Sequence, residues 1–64
     1  MLVYVDNTPV QIFSGATALD ALRRYCTNEV RPLPAGDLFD FRGNVIAPDS
    51  PMTEGRRIFT RLPL

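Results

Sequence analysis

The chain has 64 residues, of which 45% are hydrophobic, seven are basic and seven are acidic. This length allows one domain over residues 1–64, and the balanced charge gives no net field to attract nucleic acid. One cysteine and no histidine exclude an internal disulfide and most metal sites, and no apolar run is long enough to span a membrane. A lone cysteine also fits a reducing compartment. We therefore expect a small soluble cytoplasmic domain.

Two strand-like runs open the chain. Met1–Val5 and Pro9–Phe13 are rich in β-branched and aromatic residues, and a turn cluster, Asp6–Thr8, separates them. They predict a hairpin with a loop of about three to four residues. Because side chains alternate along a strand, one set is expected to face inward and the other outward. The inward set is Val3, Val5, Val10 and Ile12, and the outward set is Leu2, Tyr4, Gln11 and Phe13.

A helix is predicted next. Thr17 is a typical N-cap, and Asp20 three positions later makes an acidic version of the capping box. The apolar residues that follow form one stripe: Ala18, Leu19, Leu22, Tyr25 and Cys26. We predict a helix of about ten residues, which must be stabilised by packing on the sheet.

The middle of the chain is predicted to be irregular and then to form a second, shorter hairpin. Pro32 and Pro34 remove backbone donors and argue against regular structure around them. Alternation further along predicts a strand with Phe39 and Phe41 facing inward. The predicted elements are a connection over Thr27–Gly36, a strand over Leu38–Arg42, a turn at Gly43–Asn44 and a short strand over Val45–Ile46.

The last quarter is predicted to close the fold. Pro48–Pro51 indicates a corner, Met52 is expected to plug the open end of the core, and Gly55 precedes a final strand over Arg57–Leu62. This order of elements predicts a mixed sheet of about four to five strands with one helix on one face. The first and last strands are expected to lie side by side and parallel.

Two motifs in these elements resemble the ubiquitin-like β-grasp superfamily. The first is Gly15-Ala16-Thr17 followed by Asp20-Ala21-Leu22. The second begins with Gly43, Val45 and Ile46 and continues through Asp49, Pro51, Met52, Gly55 and Ile58. The chain looks most similar to the ThiS/MoaD sulfur carriers and the TGS domains, over about residues 2–62. The resemblance implies an α+β, β-grasp fold, although a fold alone does not give a function.

The chain departs from the sulfur carriers in two places. Those proteins end in a flexible Gly-Gly tail whose carboxylate is adenylated and then thiocarboxylated. Here the sequence ends Arg61-Leu62-Pro63-Leu64, in which Pro63 fixes φ and Leu64 crowds the carboxylate. If Leu64 is the natural terminus, we expect neither sulfur carriage nor an adenylating enzyme as partner. Arg56 also stands where the family usually has an acid.

No catalytic or metal-ligating constellation is recognisable in the sequence. Asp37, Asp40 and Asp49 lack histidine partners, so we interpret them as turn and surface carboxylates. Cys26 falls late in the helix, at the negative end of its dipole, which disfavours a thiolate and indicates a core residue. We expect a protein that is not an enzyme and has no cofactor.

The outward face of the predicted sheet is the best candidate for function. Leu2, Tyr4, Phe13 and Phe59 are expected to be exposed there, with Arg57 and Arg61 at the rim. Aromatic residues and arginine dominate protein-binding hot spots. We therefore predict a non-catalytic module that binds a protein partner, or itself, through this face. The alternatives are a divergent sulfur carrier, a TGS-like module that binds RNA (least favoured, because the net charge is zero), and aromatics exposed only because the interior is small.

Overall fold

The computed structural model describes residues 1–61. Within them the chain forms five strands and one helix: β1 (Leu2–Val5), β2 (Thr8–Gln11), α1 (Ala18–Glu29), β3 (Leu38–Phe39), β4 (Val45–Ile46) and β5 (Arg57–Ile58). β1 lies at the centre of a three-stranded sheet, antiparallel to β2 and parallel to β5. α1 packs on one face of that sheet. The protein is therefore a small α+β domain with a mixed sheet, and the parallel pairing of the first and last strands is confirmed.

The prediction of a sheet with four to five strands is wrong. The central sheet has three strands, and β3 and β4 form a separate antiparallel ribbon. In the described part of the chain, one backbone bridge connects the two: the N–H groups of Phe39 and Phe59 each donate to the other's carbonyl, at 2.9 and 2.8 Å. β5 ends at Ile58 and does not continue through residues 59–61, whereas Leu62, the last residue of the predicted strand, lies outside the described residues.

The hairpin between β1 and β2 is tighter than predicted, with a turn formed by Asp6 and Asn7 alone. Both residues have positive φ, 50° and 67°, as a two-residue turn matched to strand twist requires. Asp and Asn tolerate this conformation better than other non-glycine residues. The Asp6 carboxylate also accepts hydrogen bonds from the backbone N–H of Thr60, at 2.9 Å, and its hydroxyl, at 2.7 Å. The turn therefore holds the chain where it leaves β5.

The helix begins as predicted and is two residues longer than expected, at 12 residues. The Thr17 hydroxyl accepts from the Asp20 N–H at 3.3 Å, and the Asp20 carboxylate accepts from the Thr17 N–H at 3.0 Å, so the capping box is confirmed. The helix ends at Glu29 and is capped by Val30, which is in the left-handed conformation and whose N–H donates to the carbonyls of Cys26 and Thr27.

The corner at Pro48–Pro51 supplies hydrogen-bond acceptors to the first turn of the helix. The Ala18 N–H donates to the Ser50 carbonyl at 2.8 Å, and the Leu19 N–H donates to the Pro48 carbonyl at 2.9 Å. These bonds satisfy two of the four N–H groups that a helix leaves without internal partners. Arg56 in turn donates from Nη1 to the Ser50 hydroxyl, at 3.0 Å, and to the Pro51 carbonyl. The arginine therefore braces this corner, at the position where the resembling family has an acid.

The core lies between α1 and the sheet. The inward orientation predicted for the first hairpin is confirmed, and Met52 is buried as expected. Cys26 is also a core residue. The core cluster comprises Val3, Val5, Val10, Ala18, Ala21, Leu22, Tyr25, Cys26, Leu38, Met52 and Ile58, with Met1, Ile12 and Ile46 packed against it.

The orientation predicted for the third strand is wrong. Leu38 is buried, Phe39 is half-buried and Phe41 is 62% exposed. The reason is local: Asp40 stops the strand by starting a turn. Its carboxylate accepts from the Arg42 and Asn44 N–H groups, both at 2.9 Å, which is typical of aspartate at the first position of a turn.

Candidate binding face

A row of three side chains crosses the sheet on the face opposite α1. Val3 and Val5 are fully buried, so alternation places Tyr4 on the other face. Tyr4 lies opposite Pro9 of β2 on one side and Arg57 of β5 on the other. We call Pro9, Tyr4 and Arg57 the open-face row.

Tyr4 is held in place by its neighbours in this row. The guanidinium carbon of Arg57 lies 5.8 Å from the centre of the Tyr4 ring, close enough for a cation–π interaction. Tyr4 is half-buried, whereas Pro9 and Arg57 are exposed. Leu2, also half-buried, is paired with the exposed Gln11 in the neighbouring row. The face therefore presents an aromatic ring and a cation whose relative positions are set by strand pairing.

The predicted face is smaller than expected, because two of its aromatic members lie elsewhere. Phe59 is only 9% exposed, so its predicted exposure on the sheet face is wrong. It forms the backbone bridge with Phe39, which brings β3 alongside this end of the chain. Phe13 is 65% exposed, as an outward residue should be, but it lines a different groove, between the end of β2 and α1. The structure therefore groups Leu2 and Tyr4 with Arg57, without the two phenylalanines.

Arg61 is exposed and is the last residue of the described part of the chain. The tail on which the sulfur-carrier alternative depends, residues 62–64, lies outside the described residues.

A second surface adjoins the open-face row and was missed by the sequence prediction. A groove of about 580 Å³ shares Arg57 with the row; we call it the arginine groove. Its lining residues are Asp40, Phe41, Arg42, Asn44, Gly55, Arg56 and Arg57. The arginine groove was not predicted because Phe41 was expected to be buried and because Arg42 is far from Arg56 along the chain. The adjacent pair Arg56-Arg57 was the one local signal of it.

The wall of the arginine groove carries one ionised acid. The backbone N–H of Asn44, followed by that of Arg42, lowers the pKa of Asp40 below its ordinary value of 3.8. Hydrogen bonds to a carboxylate favour its charged form. Asp40 is therefore an anion at neutral pH, with its oxygens directed to the turn's own N–H groups.

Residues 1–61 contain no group of three or more histidine, cysteine, aspartate or glutamate side chains arranged to hold a metal ion. Cys26 is a buried free thiol. In the same part of the chain, no helix combines the length and apolar character needed to cross a bilayer.

Comparisons with protein-family models, with curated proteins and with solved structures found no match. The resemblance to the β-grasp superfamily therefore rests on the sequence motifs and the order of elements alone.

Proposed function

We propose that this domain is a β-grasp protein-interaction module that binds a partner protein through the open-face row and performs no catalysis. The observation that carries the proposal is the packing of the Arg57 guanidinium over the Tyr4 ring, on the sheet face that α1 does not cover. Tyrosine and arginine are the residue types that contribute most to protein-binding hot spots.

The order of elements supports the β-grasp assignment. A hairpin is followed by a helix that crosses one face of the sheet, and the chain then returns to place β5 parallel to β1. The motifs around Thr17 and Pro51 carry the resemblance to the β-grasp superfamily, and this topology is the one that the resemblance implies.

The sheet that carries the open-face row is fixed by the core on its other face. Val3 and Val5 flank Tyr4 along β1 and are fully buried, and Ile58 beside Val5 is buried too. This core fixes the backbone that carries Tyr4, so little backbone freedom is lost when a partner covers the ring, and less of the binding energy is lost to ordering.

Docking on the side-chain face fits this sheet better than addition of a partner strand at β2. The Met1–Ile12 pair exchanges both backbone hydrogen bonds, and alternation from it directs the backbone of Pro9 and Gln11 toward the free edge. Pro9 has no N–H, so the edge offers an incomplete ladder, which is a common protection against edge-to-edge pairing.

The proposal is tested by removing the ring. The tagged protein, expressed in its native cells, should recover a partner, and Tyr4→Ser should lower the recovered amount about ten-fold, equivalent to about 1.4 kcal/mol. Phe13→Ser is the matched control, because it removes an exposed aromatic ring outside the row. Circular dichroism of both variants checks that they fold.

Equal recovery by the wild type and Tyr4→Ser would contradict the proposal, as would an equal loss with Phe13→Ser. A partner that proves to be a second copy, seen as a doubled mass that Tyr4→Ser abolishes, would support the face as the binding surface.

A further inference from the structure

The arginine groove brings together three arginines from two parts of the chain. Arg42 comes from the turn between β3 and β4, whereas Arg56 directly precedes β5 and Arg57 is its first residue. The groove is open and continuous with the open-face row, since Arg57 belongs to both.

Each of these guanidinium groups has a neighbour that orients it. The guanidinium carbon of Arg42 lies 5.2 Å from the centre of the Phe41 ring, and Arg57 lies over Tyr4. Arg56 is fixed through Nη1 by Ser50 and Pro51. A guanidinium stacked on a ring keeps its in-plane N–H donors for a carboxylate, and Arg56 keeps those on Nε and Nη2.

The acids near the groove are bonded to backbone N–H groups. Asp40 accepts from the turn between β3 and β4, and Glu54 accepts from the Leu2 N–H at 3.0 Å. The positive charge of Arg42 also contributes, as the smallest of the causes, to the lowered pKa of Asp40. The groove therefore carries three cations against one carboxylate on its walls, although the whole chain is neutral.

We propose that the arginine groove binds the carboxylates of an acidic segment in the same partner that covers the open-face row; this inference rests on the proposed function. Arginine binds carboxylates through paired N–H donors, and complementary charge raises association rate and specificity. A short segment would be enough to reach the three arginines, because they line one groove. A nucleic-acid backbone fits less well, because it needs a longer basic surface than a neutral chain with three grouped arginines provides.

The first test uses defined probes. A short capped peptide of alternating glutamate and leucine is titrated into the isotope-labelled protein, beside its twin in which glutamine replaces glutamate, and beside an oligouridylate. We expect the glutamate peptide to shift the amide signals of Arg42, Gly55 and Arg57. Its affinity should fall at least about five-fold between about 50 and about 300 mM salt, as screening increases.

Equal binding of the glutamine twin, or affinity that salt does not change, would overturn the proposal. Tighter binding of the oligouridylate through the same amides would also overturn it and would assign the groove to nucleic acid.

The second test separates the groove from the row. Arg42→Gln should weaken the glutamate peptide about five-fold and Arg42→Lys by less, whereas Arg24→Gln, which removes an exposed arginine of α1, should leave it unchanged. The Arg42 side chain is exposed, and its turn contact with Asp40 uses the backbone N–H, so these variants keep the fold.

Recovery of the cellular partner then distinguishes the two proposals. If Tyr4→Ser lowers recovery and Arg42→Gln does not, the proposal that the open-face row binds the partner is supported and the inference about the arginine groove is wrong. If neither variant lowers recovery, both are wrong. If both lower it, and salt reduces only the contribution of Arg42, both are supported.

Discussion

Two regions of this molecule are built very differently. The sheet–helix unit, made of β1, β2, β5 and α1, contains the fully buried residues Val3, Val5 and Ile58. The connecting segment, residues 30–47, instead leaves Val30 91% exposed and Val45 61% exposed. A chain of 64 residues has too little apolar surface to build a full core in both places. The open-face row lies on the first region, whereas the arginine groove depends on both.

The connecting segment is attached to the rest at few points. Leu38 reaches the core, Ile46 packs against it, and Phe39 forms the bridge to Phe59. Regions with few buried apolar contacts open at lower free energy than the core does. We therefore expect Arg42 to be positioned less firmly than Tyr4 and Arg57.

The largest effect expected from this difference is on global stability. Ile58→Ala removes buried atoms from the centre of the sheet–helix unit and should lower the free energy of unfolding by about 3 kcal/mol. That is most of the roughly 3 to 5 kcal/mol available to a domain of this size. Ile46→Ala, at the half-buried position of β4, should cost about 1 kcal/mol. Urea unfolding followed by circular dichroism measures both.

Because Ile58→Ala leaves little stability to measure, Ile58→Val and Ile46→Val repeat the comparison in folded protein. The first should cost about 1 kcal/mol and the second less than half of that. Similar costs at the two positions would show that the regions are equally well packed and would remove the basis of the comparison.

The sheet–helix unit was also the more predictable region, for the same physical reason. Alternation identified Val3 and Val5 as buried, and Thr17 with Asp20 marked the start of the helix, because these signals are local. Phe41 was assigned wrongly because alternation assumes that the strand continues, whereas the side chain of Asp40 ends it.

Only part of the candidate site could be predicted, for the same reason. The proximity of Tyr4 and Arg57 followed from the expected order of strands, and the structure contains it. The burial of Phe59 depends on its bridge to Phe39, and the arginine groove depends on where the turn between β3 and β4 lies. Both are contacts between distant parts of the chain, which a local pattern does not encode.

An intermediate effect is expected where the connecting segment leaves the helix. Val30 has φ 54°, although a β-branched residue strongly disfavours the left-handed region. Val30→Gly relieves that strain, partly offset by the greater freedom of glycine in the unfolded chain, for a net stabilisation of about 1 kcal/mol. The melting temperature should rise by about 4 to 8 °C.

The matched control is Val45→Gly, which removes another exposed valine, this one from a strand, and should destabilise the domain by roughly 0.5 to 1 kcal/mol. A melting temperature that falls in Val30→Gly would show that the valine contributes an interaction that outweighs its strain.

The smallest effect concerns the pH response of the turn between β3 and β4. The N–H of Asn44, and then that of Arg42, lower the pKa of Asp40 in the folded protein below 3.8. Since the folded pKa lies below the unfolded one, the turn's stabilisation is fully present above the unfolded pKa and is lost as pH falls through the folded pKa.

The amide protons of Arg42 and Asn44 should therefore titrate together, with a midpoint below 3.8. The Tyr4 amide, whose N–H donates to the Arg56 carbonyl, should not follow that curve. Asp40→Asn keeps an acceptor oxygen at the turn and should abolish the titration at both amides. A midpoint at or above 3.8 would mean that the two N–H groups do not stabilise the charged carboxylate, and the position of Arg42 at the arginine groove would then lack this support.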